Sequence, residues 1–168
     1  MVHDPHKHTS KTNGATPHGE EHASQPMMRT LTQYIKDFSF ENPNAPRSLI
    51  LKQAPNISIN INVNAESINE HQFCVELTLN GKALEEDNPL FVFELVYGGV
   101  FEIQGVPKEH LQSILMVECP TLLFPFARNI VAESVRQGGF PPIYMDPVDF
   151  NMLYQHNQAM AEAQTLNA

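Results

Sequence analysis

Histidine and cysteine are the residues of this chain whose side chains could most directly support metal binding or catalysis. Five of the eight histidines lie within the first 28 residues, at positions 3, 6, 8, 18 and 22. Their spacing matches no structural metal site, so we expect adventitious metal binding at most. The surrounding segment is rich in Ser, Thr, Gly, Pro and Lys, and we expect it to be disordered.

The two cysteines, Cys74 and Cys119, lie inside apolar segments and have no CxxC or Cys/His ligand spacing. We expect both to be reduced core thiols in a reducing compartment. A catalytic Cys119 would need a thiolate, but an apolar helical setting raises the pKa of a thiol, and His71, His110 and His156 are isolated. The chain also lacks a phosphate-binding glycine loop and the GxSxG and HExxH motifs. The sequence therefore predicts neither an enzyme nor a cofactor or metal site.

Acidic residues are the other candidate functional groups. The formal net charge is -9, and residues 1 to 29 carry three basic and three acidic side chains, so the rest of the chain holds the whole excess. Such a surface disfavours nucleic acid and anionic lipid and favours a basic partner, although simple solubility explains it equally well. No apolar run approaches the ~20 residues of a membrane span. We expect a cytoplasmic protein without membrane insertion.

The stretch from Leu90 to Gly105 is the longest apolar run and predicts a central strand. Side chains alternate between the two faces of a strand. One face is expected to carry Phe91, Phe93, Leu95 and Tyr97, and the other Val92, Glu94 and Val96. Glu94 thus interrupts an otherwise apolar face. The Gly98-Gly99 pair predicts a bulge, a bend or a close backbone approach.

Three further strands are predicted by alternating apolar and polar residues. Residues 30–41 place Tyr34, Phe38 and Phe40 on one face and Ile35, Asp37, Ser39 and Glu41 on the other. Residues 56–64 alternate Ile or Val with Asn or Ser, which is typical of a strand with one buried side. Residues 71–84 form the next strand, with Gly81 as a bulge or an exposed position, and we expect the chain to reverse between Glu85 and Pro89.

Helical periodicity replaces alternation after the central strand. Pro107 suits a helix start, and the residues that follow it are apolar at helical spacing. Pro120 and Pro125 are expected to interrupt or bend this segment, because each removes a backbone donor. A second helical piece is expected to end at Gly138-Gly139. These pieces are unusually apolar, which suggests cover on two sides, by the sheet and by another subunit.

The domain organisation follows from these elements. We expect a tail at residues 1–28, one α+β domain at residues 29–160 and a frayed tail at residues 161–168. The last helix of the domain is predicted from Val148 to Met160, with Asp146 as its N-cap. The fold class is α+β, with a four-stranded antiparallel sheet followed by a long kinked helical segment and a C-terminal helix.

Four strings in this order resemble the SecB family of bacterial protein-export chaperones. They are KDFSFENPNAP at 36–46, FELVYGGVFEIQG at 93–105, CPTLLFPFAR at 119–128 and GGFPPIYMDPVDF at 138–150. The resemblance implies a homotetramer, a dimer of dimers with helices packed between two sheets. It also implies an ATP-independent holdase that binds unfolded export precursors in apolar surface grooves and delivers them to the SecA translocation motor.

The resemblance also implies roles for individual residues. The contact with SecA would use Asp37, Glu41, Val92 and Glu94, where Val92 stands at a position that carries leucine in the family. Candidate groove aromatics are Phe38, Phe40, Phe91, Phe93, Tyr97, Phe140 and Tyr144, although ordinary core burial is an even alternative for each.

Two other functions remain open at this point. A SecB-like binding module could serve one dedicated partner, such as an antitoxin. A carrier of an apolar small ligand would use the concave sheet and would be a monomer with a closed pocket.

Overall fold

The computed structural model describes residues 25–166, so the first 24 residues of the predicted tail lie outside the described part of the chain. Strand β1 already begins at Met27, earlier than its predicted start at Thr30. The strands are β1 (Met27–Glu41), β2 (Asn56–Ser67), β3 (Gln72–Glu85) and β4 (Asn88–Gln104). The helices are α1 (Lys108–Ser113), α2 (Cys119–Gln137) and α3 (Phe150–Leu166), with a π-helical segment at Ile114–Glu118 and a 3-10 turn at Arg47–Leu49.

The four strands form one antiparallel sheet in the order β1-β4-β3-β2, so β4 lies inside the sheet between β1 and β3. This confirms the predicted central strand and the fold class. The predicted faces of β4 are also confirmed: Phe91, Phe93, Leu95 and Tyr97 are buried, whereas Val92 and Glu94 are exposed. Helix α2 packs on the buried side, which we call the inner face, and the opposite side is the outer face.

Of the three alternatives for Gly98-Gly99, the structure shows a close approach and not a bulge, because the β3–β4 register runs without a shift through both glycines. The irregularities lie instead in β1, between Thr30 and Thr32 and between Ile35 and Asp37. Glycine is required at both positions because neighbouring side chains lie too close to the backbone to leave room for a Cβ. A Cβ on Gly98 would come within 2.6 Å of the ring of Tyr34, and a Cβ on Gly99 within 2.8 Å of Leu123.

The bulges of β1 change which side chains share a face. Tyr34 pairs with Gly98 on the outer face, whereas Phe38 pairs with Leu95 on the inner face, so the prediction that Tyr34 and Phe38 share a face was wrong. Each bulge adds a residue to one strand and reverses the alternation that follows it.

The outer-face position of Tyr34 brings it to a cysteine. The Tyr34 hydroxyl shares a hydrogen bond of 3.2 Å with the thiol of Cys74, and this contact, with burial, raises the pKa of Tyr34 to about 12. Cys74 is half-buried on the outer face and not in the core, in contrast to the prediction, while Cys119 is buried as predicted.

Strand β3 contains no bulge at Gly81, since its register with β4 is regular from Gln72 to Ala83. Gly81 lies on the inner face, where an added Cβ would come within 2.7 Å of the ring of Phe93. The predicted reversal after β3 is confirmed, because the chain turns between Glu85 and Asn88 with Glu86 at a φ of 55°.

The helical segment after β4 does not break at its prolines. It runs without interruption from Lys108 to Gln137, and the π-helical segment ends at Glu118, two residues before Pro120. A π turn contains one extra residue and occurs where the regular ladder of hydrogen bonds is disturbed, which makes room for a proline ring. Pro125 lies on the exposed side, where water can bond the carbonyl that loses its partner.

This long helix is the one in the described part of the chain that is apolar and long enough to cross a membrane, by length and composition alone. Core helices of globular proteins have the same property. One side of it is buried against the sheet through residues such as Leu123, Ala127, Val131 and Val135. Its other side leaves Phe126 52% exposed.

Helix α3 begins at Phe150 rather than Val148, and its cap is Asp149 rather than Asp146. The carboxylate of Asp149 accepts a hydrogen bond of 3.0 Å from the backbone N–H of Met152, which satisfies one of the free donors of the first turn. The helix continues to Leu166, beyond the predicted end at Met160, because Ala, Glu, Gln and Leu are good helix formers.

Candidate functional site

An apolar groove of about 380 Å³ opens at the surface between two stretches of chain that lack regular structure. The first wall is the segment between α2 and α3, and the second wall is the loop between β1 and β2. The side chains that form it are mainly aliphatic, aromatic or proline: Leu51, Pro55, Ile57, Phe91, Phe140, Pro141, Pro142, Ile143 and Tyr144. A concave apolar surface of this kind suits a hydrophobic ligand or chain segment.

The floor of the groove is aromatic. Phe91 and Phe140 are 2% and 5% exposed, and their ring centroids lie 4.9 Å apart. Phe40 supports the floor from β1, because its ring stacks on Phe91 with a centroid distance of 5.8 Å. Phe91 faces the groove because the alternation of β4 directs every second side chain to the inner face.

The first wall is anchored to the C-terminal end of α2. The backbone N–H of Phe140 donates a hydrogen bond of 3.2 Å to the carbonyl of Val135. The guanidinium of Arg128 donates to the carbonyl of Met145 at 3.3 Å. Between these anchors Tyr144 projects into solvent and is 83% exposed. The wall therefore presents a large aromatic side chain on a segment that is held at both ends.

The second wall is the loop between β1 and β2. Asn42 ties its start to the helix, because the Asn42 amide donates to the carbonyl of Gly138 at 3.3 Å and accepts from the hydroxyl of Ser48 at 2.6 Å. Further along, the carboxylate of Glu85 accepts hydrogen bonds from the backbone N–H groups of Lys52 and Gln53.

The predicted groove aromatics separate into two groups. Phe91, Phe140 and Tyr144 line the groove. Phe40 lies behind Phe91 and does not line the groove. The other three lie elsewhere: Phe38 is on β1, Phe93 is buried beneath Gly81, and Tyr97 is buried with its ring stacked on Phe126. Sequence reasoning missed the aliphatic and proline residues of both walls.

The four residues predicted to contact SecA share the outer face at one end of the sheet. Glu41 pairs directly with Val92, Asp37 pairs with Val96, and Glu94 follows Val92 by two residues on the same face. All four are exposed. Glu41, Val92 and Glu94 help to line a shallow concavity of about 450 Å³. We call Asp37, Glu41, Val92 and Glu94 the acidic face.

The carboxylates of the acidic face form no salt bridge with any base in the described part of the chain. Other acids of the outer face are neutralised: Arg29 bonds Glu102 at 2.8 Å, and Lys36 bonds Glu76. At this end of the outer face the three acids outnumber the one base that lines the same concavity, Lys82, which pairs with Val92. The local charge is therefore negative and can attract a basic surface.

A third surface is apolar and lies on the inner side near β1. Ile35 is 51% exposed there beside Tyr97, on which Phe126 stacks at a centroid distance of 6.5 Å. Phe38 and Leu122 extend the same surface along β1 and α2. We call Ile35, Phe38, Leu122 and Phe126 the helix-side strip.

Groups suited to catalysis do not converge in the described residues. His71 lies in the turn before β3, whereas His110 and His156 lie on α1 and α3. Residues 25–166 contain no group of three or more His, Cys, Asp or Glu side chains that could hold a metal ion. Burial, with a smaller contribution from Glu118, raises the pKa of the Cys119 thiol to about 12. This thiol is therefore unreactive at neutral pH.

Comparison with known proteins gives consistent matches. The family model described as "Preprotein translocase subunit SecB" matches residues 21–161. The chain is 57% identical over 146 residues to Protein-export protein SecB of Bradyrhizobium sp., covering 86% of this chain and 88% of that protein. It is 56% identical over 142 residues to the protein of the same name from Azorhizobium caulinodans, covering 84% and 88%.

A solved structure has the same fold at low sequence identity. A SecB-like chaperone of Mycobacterium tuberculosis, in complex with a peptide from an antitoxin, matches with a TM-score of 0.61 and 12% identity. The match covers 72% of this chain and 90% of that chain. At this identity the likeness bears on the fold alone.

Proposed function

The chain belongs to the SecB family, and we propose on this basis that it is an ATP-independent holdase. It binds unfolded export precursors along the apolar groove in the cytoplasm and delivers them to the SecA translocation motor. The observation that carries the proposal is the exposed apolar groove, with Tyr144 standing 83% exposed at its edge. A concave apolar surface with an exposed aromatic side chain at its edge suits the binding of an apolar chain segment.

The chemistry of the groove suits clients of many sequences. Its lining consists of aliphatic, aromatic and proline side chains, so recognition rests on burial of apolar surface, which is non-directional. Edge strand β2 contributes Ile57 to the groove and can offer backbone groups to an extended client. A folded protein keeps its apolar side chains inside and has little to offer such a site.

The acidic face is the proposed contact with SecA. Its acids, Asp37, Glu41 and Glu94, surround the exposed side chain of Val92. A small apolar residue among unpaired carboxylates suits a basic partner that also buries some apolar surface. Because this face and the groove lie on opposite sides of the sheet, one subunit can hold a client and SecA together.

We further propose a homotetramer, a dimer of dimers in which the helix-side strip is covered by neighbouring subunits. The strip exposes two phenylalanines and two aliphatic side chains on adjoining elements, and burial of such surface drives stable association.

Light scattering after size exclusion tests the assembly and the holdase activity together. The protein would be measured alone, then with a chemically unfolded polypeptide and with the folded form of the same polypeptide, without nucleotide. We expect a mass four times the chain mass of 18.9 kDa, and uptake of the unfolded polypeptide but not of its folded form. A monomer that leaves the unfolded chain to aggregate would refute the proposal. Tight binding of one partner only would favour a dedicated binding module.

Charge reversal at Glu94 tests the SecA contact. We expect Glu94→Lys to weaken SecA binding roughly tenfold at low salt, because it places a positive charge opposite a basic partner. The matched control is Glu66→Lys, which makes the same charge change on an exposed residue of β2, remote from the acidic face. Isothermal calorimetry with SecA would measure both. Equal losses in the two variants would show that total charge, rather than the acidic face, governs binding.

A further inference from the structure

The loop that forms the second wall of the groove has few bonds of its own. Residues 51–55 have no regular secondary structure. Ile50, at its start, is 79% exposed. Within the described chain, the hydrogen bonds that residues 51–55 make to other elements all go to two acids at the end of β3: Glu85, and Glu86 through the side chain of Gln53.

Glu85 makes the main-chain contacts. One carboxylate oxygen accepts from the backbone N–H of Lys52 at 2.6 Å and from that of Gln53 at 3.0 Å. Two consecutive amides therefore converge on one anionic acceptor, which is a strong arrangement because the acceptor is charged. These two hydrogen bonds also lower the pKa of the Glu85 carboxyl, so it stays ionised at neutral pH. By contrast, Glu86 bonds only the side-chain amide of Gln53, at 3.4 Å.

The position of the two amides links this contact to the groove. Lys52 directly follows Leu51, which lines the groove, and Gln53 precedes Pro55, which lines it as well. Leu51 also packs against the buried core. Glu85 itself is fixed on β3, where it pairs with Asn88 across the hairpin. The carboxylate thus connects a rigid strand to the irregular wall.

We propose that Glu85 is a positioning residue for client binding, which holds the wall carrying Leu51 and Pro55 in the geometry that closes the apolar groove. The inference rests on the proposed client-binding function. Without the carboxylate, the two amides lose their acceptor, the loop samples other conformations, and only a fraction of the molecules present a complete groove. The apparent affinity for a client falls by that fraction.

Three variants test the role of Glu85 in the full-length protein. Glu85→Ala removes the acceptor, Glu85→Gln keeps a neutral acceptor, and Glu86→Gln removes a charge at the adjacent position without affecting the main-chain contacts. Hydrogen exchange at the amides of Lys52 and Gln53 reports on the loop. Binding of a permanently unfolded polypeptide, measured by fluorescence anisotropy, reports on the groove, and light scattering reports on assembly.

We expect Glu85→Ala to accelerate exchange at both amides and to raise the Kd for the unfolded polypeptide three- to tenfold, with the assembly unchanged. Glu85→Gln should fall between the wild type and Glu85→Ala, and Glu86→Gln should match the wild type. Unchanged exchange in Glu85→Ala, or faster exchange with a Kd within a factor of two of the wild type, would overturn the inference and leave the proposed function standing. A wild-type protein that does not bind the polypeptide would instead refute the proposed function.

Discussion

Replacement of Tyr144 by alanine should weaken client binding without weakening the fold. This side chain is 83% exposed, so it contributes little to the core, but it forms the outer edge of the apolar groove. A client that lies in the groove would cover part of its ring. The loss should therefore be seen in the binding equilibrium and not in the unfolding equilibrium.

The size of the effect can be worked from the exposed area. An aromatic side chain buries roughly 150–250 Å² when fully covered. If a client covers about half of Tyr144, roughly 100 Å² leaves water, which stabilises the complex by about 2.5 kcal/mol at most. Immobilising the side chain costs about 1 kcal/mol. The net loss on truncation is then about 1.5 kcal/mol, which corresponds to an increase in Kd of roughly tenfold.

The assay is a titration of a permanently unfolded polypeptide, combined with thermal unfolding of each variant. Met152→Ala is the matched control, since Met152 is 67% exposed on α3 and does not line the groove. We expect a tenfold weaker Kd for Tyr144→Ala, an unchanged Kd for Met152→Ala and similar melting temperatures for all three proteins. An unchanged Kd for Tyr144→Ala would show that clients bind elsewhere, and the assignment of the groove would be wrong.

Two further predictions concern the sheet and the cysteines. Gly81→Ala should lower the free energy of unfolding by about 1–3 kcal/mol in urea titrations, because the new Cβ would lie 2.8 Å from the main-chain oxygen of Ser58 and 2.7 Å from the ring of Phe93. A free energy of unfolding equal to that of the wild type would show that the neighbouring atoms move apart without cost to make room for the Cβ. In the folded protein at pH 8, an alkylating reagent should modify Cys74 and spare Cys119, whose pKa burial raises to about 12. Equal labelling of both thiols by mass spectrometry would contradict the buried position of Cys119.

The sheet was largely predictable because most of its strands follow a period of two. In β3 and β4 the alternation identified which side chains are buried, since strands inside a sheet bury one face completely. Strand β1 was predicted less well. Its two bulges are set by pairing with β4, a tertiary effect that leaves no mark in the spacing of Tyr34 and Phe38.

The binding surfaces show a similar division. The residues of the acidic face were predicted to share a side, and they do, because the second bulge precedes Asp37 and leaves the rest of β1 in phase with β4. The groove was predicted in part. Tyr144 and Phe140 were candidates because they are aromatic. Leu51 and Pro55 lie in an irregular loop, which has no periodicity from which their position could be predicted. Phe93 and Tyr97 gave the same aromatic signal but fill the core.

The alternation of β4 places Phe91 in the floor of the groove and Val92, the next residue, on the acidic face. A ligand on either face therefore contacts the same short piece of backbone. We expect a twist or shift of β4 that accompanies binding on one face to alter the other face, so that the two proposed binding equilibria are coupled through one peptide unit. Such coupling is reciprocal. A partner that lowers the affinity for a client must itself bind with lower affinity when the client is present, and the two affinities change by the same factor.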